Sequence, residues 1–462
     1  MKIMWLTTDS SLLERDENIT IKAPLEAALM NYYGEKARLA VVFEKEHEGQ
    51  EKVICGNVCY YPLEAKLTAV GLSVSYWEDS KVEILKVIDE FSPDIIHCFG
   101  SEWPYGAIAE ETQVPVVIHM MGFLNIYHMT VDMVLNPLPQ ILPPPKRLAW
   151  LEKAKSQLKR RFLSAVRKPP KRVPNAVEQA NAFELRVMKA NRYFIGRTEW
   201  DKKIVRFYAP GAKYYHVPEA LRDVIWKAAG TWRYHFQGKL RLLTVSSADY
   251  RKGNEIILRT ALILQTVLGL DFEWRVAGSK EFFPFFEQRT QLKRQDLHIN
   301  LLGRISAAQV RDELQEADFF IHPSIVDNSP HSICEAQLIG CPVIASNVGG
   351  VPQLVEDGKT GFLYPYNEPH ALAFLLGELY QDRKRLTELS ERESDMASCR
   401  HEPRRVADIL FDTYERIIED GKSEVVSRPA APDGQGIDKP LAGRHRDNLA
   451  QDPAGAGRGQ EL

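Results

Sequence analysis

Residues 318–347 read "DFFIHPSIVDNSPHSICEAQLIGCPVIASN". The outer runs, "DFFIHPS" and "CPVIAS", are short and apolar on both faces, as strands covered by helices on both sides must be. Between them lies a polar loop and the helix-length stretch "CEAQLIG", so the segment reads as strand, helix, strand. Asn328 or Ser329 is expected to cap that helix, with Pro330 at its first position. Its amino end would then point free N–H groups at the carboxyl edge of a sheet, where open α/β sheets bind ligands and where phosphate or a polar sugar is attracted. Two acids stand out, Asp327 and, eight residues on, Glu335 inside the apolar part of the helix. A favourable interaction with the helix dipole accounts for Asp327, but Glu335 lies beyond the first turn where the dipole acts. A buried carboxylate asks for a structural mate or a ligand.

Working outward, the same pattern fills the chain. Upstream, "RLLTVSS", "FEWRVAG" and "HINLLGR" are strand-like, and downstream so is "GFLYPY". The first half carries "KIMWLT", "RLAVVFE", "DIIHCFG", "PVVIHMMGF" and "RYFIGRTEW", separated by helix-length segments. Such alternation predicts parallel sheets in doubly wound α/β domains. Two sets of five or six strands predict two Rossmann-like domains. We expect an amino-terminal domain over 1–200 and a carboxyl-terminal domain over 201–400. A helix follows over 401–422, expected to cross back to the first domain. From Ser423 to the end the chain is rich in Pro, Gly, Ala and charge, which predicts a disordered tail.

The 462 residues are 44% apolar and 26% charged with a net charge of −3, the profile of a soluble globular protein without a global case for nucleic acid. The six cysteines form no CxxC pair, and Cys98, Cys334 and Cys341 sit in apolar runs, which fits buried thiols in a reducing cytoplasm. The opening "MKIMWLTTDS" is too short in its apolar part for a signal peptide, and no stretch reaches a bilayer-crossing length. One segment departs from the average: Lys146 to Arg172 carries eleven basic residues against one acid, with apolar residues near helical spacing. It reads as a basic amphipathic helix, either a solvated face or a docking surface for anionic lipid.

Three further stretches carry chemistry-bearing residues. In "SSADYRKGNE", Lys252 and Gly253 follow a strand and open a helix, a place where a cation can meet a diphosphate, with Arg251 beside it. "PVVIHMMGF" ends a central strand at His119, and "DIIHCFGSEWP" places His97, Glu102 and Trp103 at the neighbouring strand's carboxyl edge. In "GRTEWDKKI", Thr198 and Asp201 fit a capping box, with Arg197 just before it.

Taken together, "HPSIVDNSPHSICEAQLIGCPVIASNVGGVPQLVEDGKTGFLY" resembles the donor-binding signature of the retaining glycosyltransferases of family 4, which have the GT-B fold. The resemblance covers roughly residues 190–420 well and the first half more loosely. It implies transfer of a sugar from a nucleoside-diphosphate sugar, UDP- or GDP-linked, to a hydroxyl of a glycan or lipid-linked glycan, with retention and without an obligatory metal or cofactor. Bacterial polysaccharide-building members work in the cytoplasm, at the inner face of the membrane. On this resemblance Glu335 bonds the ribose hydroxyls and Asp327 lies near the transferred sugar. Backbone N–H groups of Asn328, Ser329, His331 and Ser332 contact that sugar, and Gly349 and Gly350 form the following turn. Lys252, with Arg251 beside it, meets the donor phosphates, and His119 lies near the acceptor and the leaving phosphate, so that His119, Asp327 and Lys252 are the expected catalytic residues; His97, Glu102 and Trp103 are the expected acceptor contacts. The sequence departs from the pattern at four places. Asp327 replaces the usual Glu, "NSP" replaces "GFG", Ser246 and Ser247 stand where an arginine is usual, and the loop after the first strand lacks its glycines. A sugar-nucleotide epimerase or phosphorylase on the same fold, and an inactive nucleotide-sugar-binding protein, are the competing readings.

Overall fold

The computed structural model describes residues 1–9, 22–45, 49–64, 74–135, 176–246, 249–278 and 280–427. The basic segment 146–172, most of the loop after the first strand and the predicted tail beyond Ser427 lie outside the described residues; the first five residues expected in that tail, 423–427, instead continue the helix Pro403–Ser427.

Two α/β layers are built from the predicted runs. The first sheet contains β1 (Lys2–Leu6), β2 (Arg38–Glu44), β3 (Val53–Cys55), β4 (Val58–Leu63), β5 (Ile95–Phe99), β6 (Val116–His119), β7 (Tyr193–Gly196) and β8 (Lys213–His216). Their order is β3-β4-β2-β1-β5-β6-β7-β8, parallel throughout except for the β3–β4 hairpin. The second sheet contains β9 (Leu240–Ser246), β10 (Phe272–Gly278), β11 (Ile299–Gly303), β12 (Phe319–His322), β13 (Val343–Ser346) and β14 (Phe362–Tyr364), in the order β11-β10-β9-β12-β13-β14. Eight strands instead of five or six make up the first sheet. Of the additional strands β3 and β8 are the two edges, exposed or half-exposed along their length, while β4 lies one strand in and is buried between β3 and β2.

Alternation along the strands sorts the first core into two faces. Met4, Leu6, Ala40 and Val42 join one cluster, while Ile3, Trp5, Leu39 and Val41 join the other. Helices must cover both. The helix Pro403–Ser427 lays Val406, Leu410, Tyr414 and Ile417 onto the second face, a stripe at helical spacing. The chain therefore leaves the first sheet after His216 and returns to it from the helix Arg383–Arg400. The second sheet is enclosed in one large core, and "FFIH" and "VIAS" are buried at every position. Met1–Gly421 forms one compact unit, and Lys422–Leu462 a second. Among the described residues no helix is long and apolar enough to cross a membrane.

Candidate active site

In the second sheet β10 and β11 lie to one side of β9, and β12, β13 and β14 to the other. The gap between β9 and β12 is thus the topological switch point, and the loops leaving their carboxyl ends border a crevice. Lys252 comes from the loop after β9 and Asp327 from the loop after β12, and Lys252 Nζ donates to Asp327 Oδ2 at 2.6 Å. Gly253 permits this approach. Its φ is +71°, and a Cβ there would lie 1.9 Å from the Pro323 carbonyl oxygen, so only glycine lets the two loops touch. The Ile325 N–H donates to the Arg251 carbonyl at 2.7 Å across the same seam.

Asp327 is closely held. Ser324 Oγ donates to Oδ2 at 3.2 Å, and His322 Nε2 approaches the same oxygen to 3.2 Å. Burial alone would oppose its ionisation, but the Lys252 ammonium and His322 keep the carboxyl well below its usual range. Glu335 has a structural mate, Arg222. Its Nε and Nη2 donate to the two carboxylate oxygens at 2.6 and 2.7 Å, a planar two-point pairing.

The helix carrying Glu335 begins at His331, with Pro330 just before it and no side-chain cap. Asn328 and Ser329, expected as caps, are engaged elsewhere. Thr198 Oγ1 donates to Asn328 Oδ1 at 2.6 Å, Asn328 Nδ2 donates to Asp201 Oδ2 at 3.1 Å, and Ser329 Oγ donates to Glu219. The loop ahead of the helix is thereby pinned to the first sheet. Thr198 and Asp201 also form the predicted capping box on Glu199–Tyr208. His331 and Ser332 are half-buried in the first turn of the helix, and burial lowers the His331 imidazole to about 3. The Gly350 N–H donates to the Asp327 carbonyl at 3.0 Å, closing the turn over that loop.

A buried ion pair joins the two lobes: Arg197 Nη1 lies 3.1 Å from Glu219 Oε1. Burial opposes the Glu219 charge, but Arg197 first of all, with His331 and His401, holds the carboxyl at about 2. Glu219, Cys334 and His401 also bring one ligand atom each within 4.8 Å of one another. By ligand type such a set suits a borderline divalent cation. Here the Arg197 guanidinium already meets the carboxylate, and burial pushes the Cys334 thiol up.

On the first-lobe side, His119 ends β6, and burial, reinforced by His97, Arg197 and His331, depresses its imidazole. His97, expected at the acceptor, is fully buried behind it, with Nε2 3.2 Å from His119 Nδ1 and Nδ1 2.5 Å from the Tyr414 hydroxyl. Trp103 is half-buried ahead of the short helix Pro104–Glu110. Arg251 pairs with Asp249 and lies over the Tyr127 ring, 3.8 Å from its centroid, so it joins the lobes while Lys252 faces Asp327. Glu102 Oε2 is shut away from solvent without a partner among the described residues. Burial, reinforced by Glu184, raises its carboxyl to about 7. The folded chain therefore holds a proton there that the unfolded chain releases near the ordinary pKa of about 4.3. The stability it confers is complete below that value and is lost as pH rises toward 7. A Glu102→Gln variant should lose that decline. Melting temperatures of both proteins between pH 4.5 and 8 would check it, and parallel curves would refute it.

Three residues of this constellation, Arg222, Glu219 and His322, were not among the predicted site residues, and neither was the inter-lobe role of Arg197. His322 carried a signal, since "FFIH" ends β12 as "VVIH" ends β6. Arg222 and Glu219 carried none, because nothing local distinguishes "VPEALR".

Residues 233–396 match the family model described as glycosyl transferases group 1. The amylovoran biosynthesis glycosyltransferase AmsK of Erwinia amylovora is 29% identical over 150 residues, 31% of this chain and 36% of that protein. The chain thus spans about a third of the length of this curated relative. Among solved structures, sucrose-phosphate synthase from Thermosynechococcus elongatus superposes with a TM-score of 0.68 at 12% identity, covering 91% of this chain and 99% of that one. Anabaena Alr3699/HepE, solved in complex with UDP-glucose, superposes with a TM-score of 0.58 at 13% identity, covering 93% and 100%. The fold is GT-B, and the lobe that holds Lys252, Asp327 and Glu335 is similar to the glycosyl transferases group 1.

Proposed function

We propose that the protein transfers a sugar from a nucleoside-diphosphate sugar to a hydroxyl of a glycan or lipid-linked glycan, with retention of configuration. The observation that carries this reading is the Lys252–Asp327 pair at the switch point of the second sheet. It is joined by the similarity of that lobe to glycosyl transferases and by the UDP-glucose named for the HepE complex. Cleavage of the anomeric C–O bond puts charge on the departing diphosphate, and a cation fixed at that oxygen lowers the barrier. Lys252 takes this role. Asp327 holds the ammonium in place and faces the transferred sugar, and no metal or cofactor is invoked. Glu335, already oriented by Arg222, accepts from the ribose hydroxyls with its remaining lone pairs. Neither acid is assigned as a nucleophile; the acceptor hydroxyl attacks the anomeric carbon from the face the diphosphate leaves and gives its proton to the departing phosphate oxygen, which retains configuration. The polysaccharide named for AmsK supports a glycan acceptor. A lipid-linked acceptor at the cytoplasmic face would give the basic segment 146–172 its anionic surface.

The test is a screen of labelled UDP- and GDP-sugars for nucleotide release with and without glycan acceptors. Release that requires an acceptor and yields a retained linkage is expected for at least one donor. Tight donor binding with no release would favour the inactive nucleotide-sugar-binding protein, and an isomerised sugar or a sugar phosphate would favour an epimerase or phosphorylase. Glu335→Ala should weaken donor binding about ten- to a hundredfold, the loss of hydrogen bonds to a charged group. Unchanged affinity by calorimetry would remove the ribose assignment.

A further inference from the structure

Trp5, Tyr414, His97 and His119 form a buried line from the carboxyl-terminal helix to the cleft. Trp5 Nε1 is 3.0 Å from the Tyr414 hydroxyl, which is 2.5 Å from His97 Nδ1, and His97 Nε2 is 3.2 Å from His119 Nδ1. All four side chains are at most 4% exposed. The rings are wedged: His97 stacks on Phe99 at 4.3 Å with an 11° tilt, and Trp5 meets both edge-on. At the far end His119 Nε2 is buried and has no partner among the described residues.

Donor and acceptor rules give this line a direction. An indole N–H only donates, so the Tyr414 oxygen accepts from Trp5 and its own proton must go to His97 Nδ1. Burial keeps both imidazoles neutral, His97 at about 3 and His119 well below its usual value. A neutral ring carries one proton. His97 therefore carries its proton on Nε2 and donates to His119 Nδ1, which leaves the His119 proton on Nε2. Reversing the line would strand the tyrosine proton and the His119 Nε2 lone pair, two buried unpaired groups instead of one.

We infer that Trp5, Tyr414 and His97 act as a one-way hydrogen-bond chain that fixes His119 with its proton on Nε2, so that His119 meets its ligand as a hydrogen-bond donor and not as a base. The carbonyl of the next residue, Met120, accepts from Arg197 Nη2 at 3.3 Å and from Asn328 Nδ2 at 3.4 Å, so the end of β6 that carries His119 is tied to the loop preceding the helix His331–Ile339. The complement of the unpaired N–H is an anionic or hydroxyl oxygen, which the proposed function supplies as the sugar or the departing diphosphate. The inference rests on that reading only for the identity of the oxygen. His97 and Tyr414 are positioning residues: they touch no ligand and act through the His119 ring. Because Tyr414 belongs to the returning helix, the chain also makes the cleft's electrostatics depend on that helix being docked.

The direction of the chain is tested first without any substrate. In full-length protein labelled with ¹⁵N-histidine, long-range proton–nitrogen NMR at neutral pH distinguishes the two tautomers, with a His119→Gln variant assigning the signals. His119 is expected with a protonated Nε2 and a bare Nδ1. A proton on Nδ1, or a doubly protonated ring, overturns the inference whether or not the protein transfers sugar. Tyr414→Phe should turn the single tautomer of His97 and His119 into a mixture. With an active donor it should lower kcat about three- to tenfold, the worth of one hydrogen bond, at nearly constant KM. An unmixed tautomer in a folded Tyr414→Phe protein refutes the chain. Finally, a glutamine amide N–H reaches the place of Nε2–H, whereas an asparagine amide matches Nδ1. His119→Gln should thus retain about tenfold more activity than His119→Asn, and equal loss in both overturns the donor role.

Discussion

A Lys252→Ala protein is expected to transfer sugar about a hundred- to a thousandfold more slowly at saturating donor, the cost of removing one preorganised charge from a developing oxyanion. It should also melt at a lower temperature, because Lys252 Nζ is the cation 2.6 Å from a carboxylate that is only 8% exposed. Removing one partner of a buried pair leaves an uncompensated charge and costs about 3–5 kcal/mol in enclosed cases. The two effects separate with a second substitution. In Lys252→Ala/Asp327→Asn the charge left behind is gone, so stability should recover by most of what the single change lost. Activity should not recover, since the diphosphate still lacks its cation. If the double variant regains both, Lys252 is a structural counter-ion to Asp327 and has no part in the chemistry.

The pH dependence carries the same signature. Asp327 is held well below the ordinary carboxylate pKa, so the stability it contributes is complete above that ordinary value of about 3.9 and is lost as pH falls below it. Without Lys252 burial dominates and the folded-state value rises. The variant should therefore lose less stability than the parent on acidification below pH 4, and denaturant midpoints at pH 3.5 and 7 would show the crossover.

The strands that frame this site were legible because each is buried on both faces and so must be apolar almost throughout. "FFIH" and "VIAS" could belong to nothing else at that length. Edge strands escape this logic. The edge strand β8 is half-covered at best, and β4, one strand in and buried, is interrupted by Pro62, which lies past the short β3 pairing and costs the sheet no hydrogen bond on that side. Glu335 was legible for the opposite reason, a charge set inside an apolar helix, whereas Asp327 and Lys252 stood out by their places after strands and by the resemblance. Their partners were not. Arg222 is 113 residues from Glu335, and Glu219 is 110 from Ser329, so only the crossing of the linker over the second lobe brings them together. The loop "NSP" shows the limit most clearly. Asn328 and Ser329 are good helix caps in isolation, yet Thr198, Asp201 and Glu219 compete for the same hydrogen bonds and win because they also join the lobes.

The Gly349→Ala substitution should be among the most damaging single methyl additions in the chain. Gly349 has φ +52°, which an alanine adopts at a cost of about 1–2 kcal/mol. Its added Cβ would also lie 1.9 Å from the Asp327 carbonyl oxygen and 3.0 Å from the carbonyl carbon. Backbone cannot swing away as a side-chain tip can, so the loop that carries Asp327 must move, and with it the carboxylate that meets Lys252. A total loss of about 3 kcal/mol or more is expected, at the severe end for one substitution, together with weakened donor binding. Gly358 supplies the comparison. It has φ +71° with nothing within 4 Å of a built Cβ, so Gly358→Ala bears the conformational cost alone. Denaturant unfolding of both variants isolates the close approach as the difference between them, about 1–2 kcal/mol or more by this reasoning. Equal losses in the two proteins would mean that the turn after β13 does not brace Asp327. The geometry of the acid would then have to be held by its side-chain partners Lys252, Ser324 and His322.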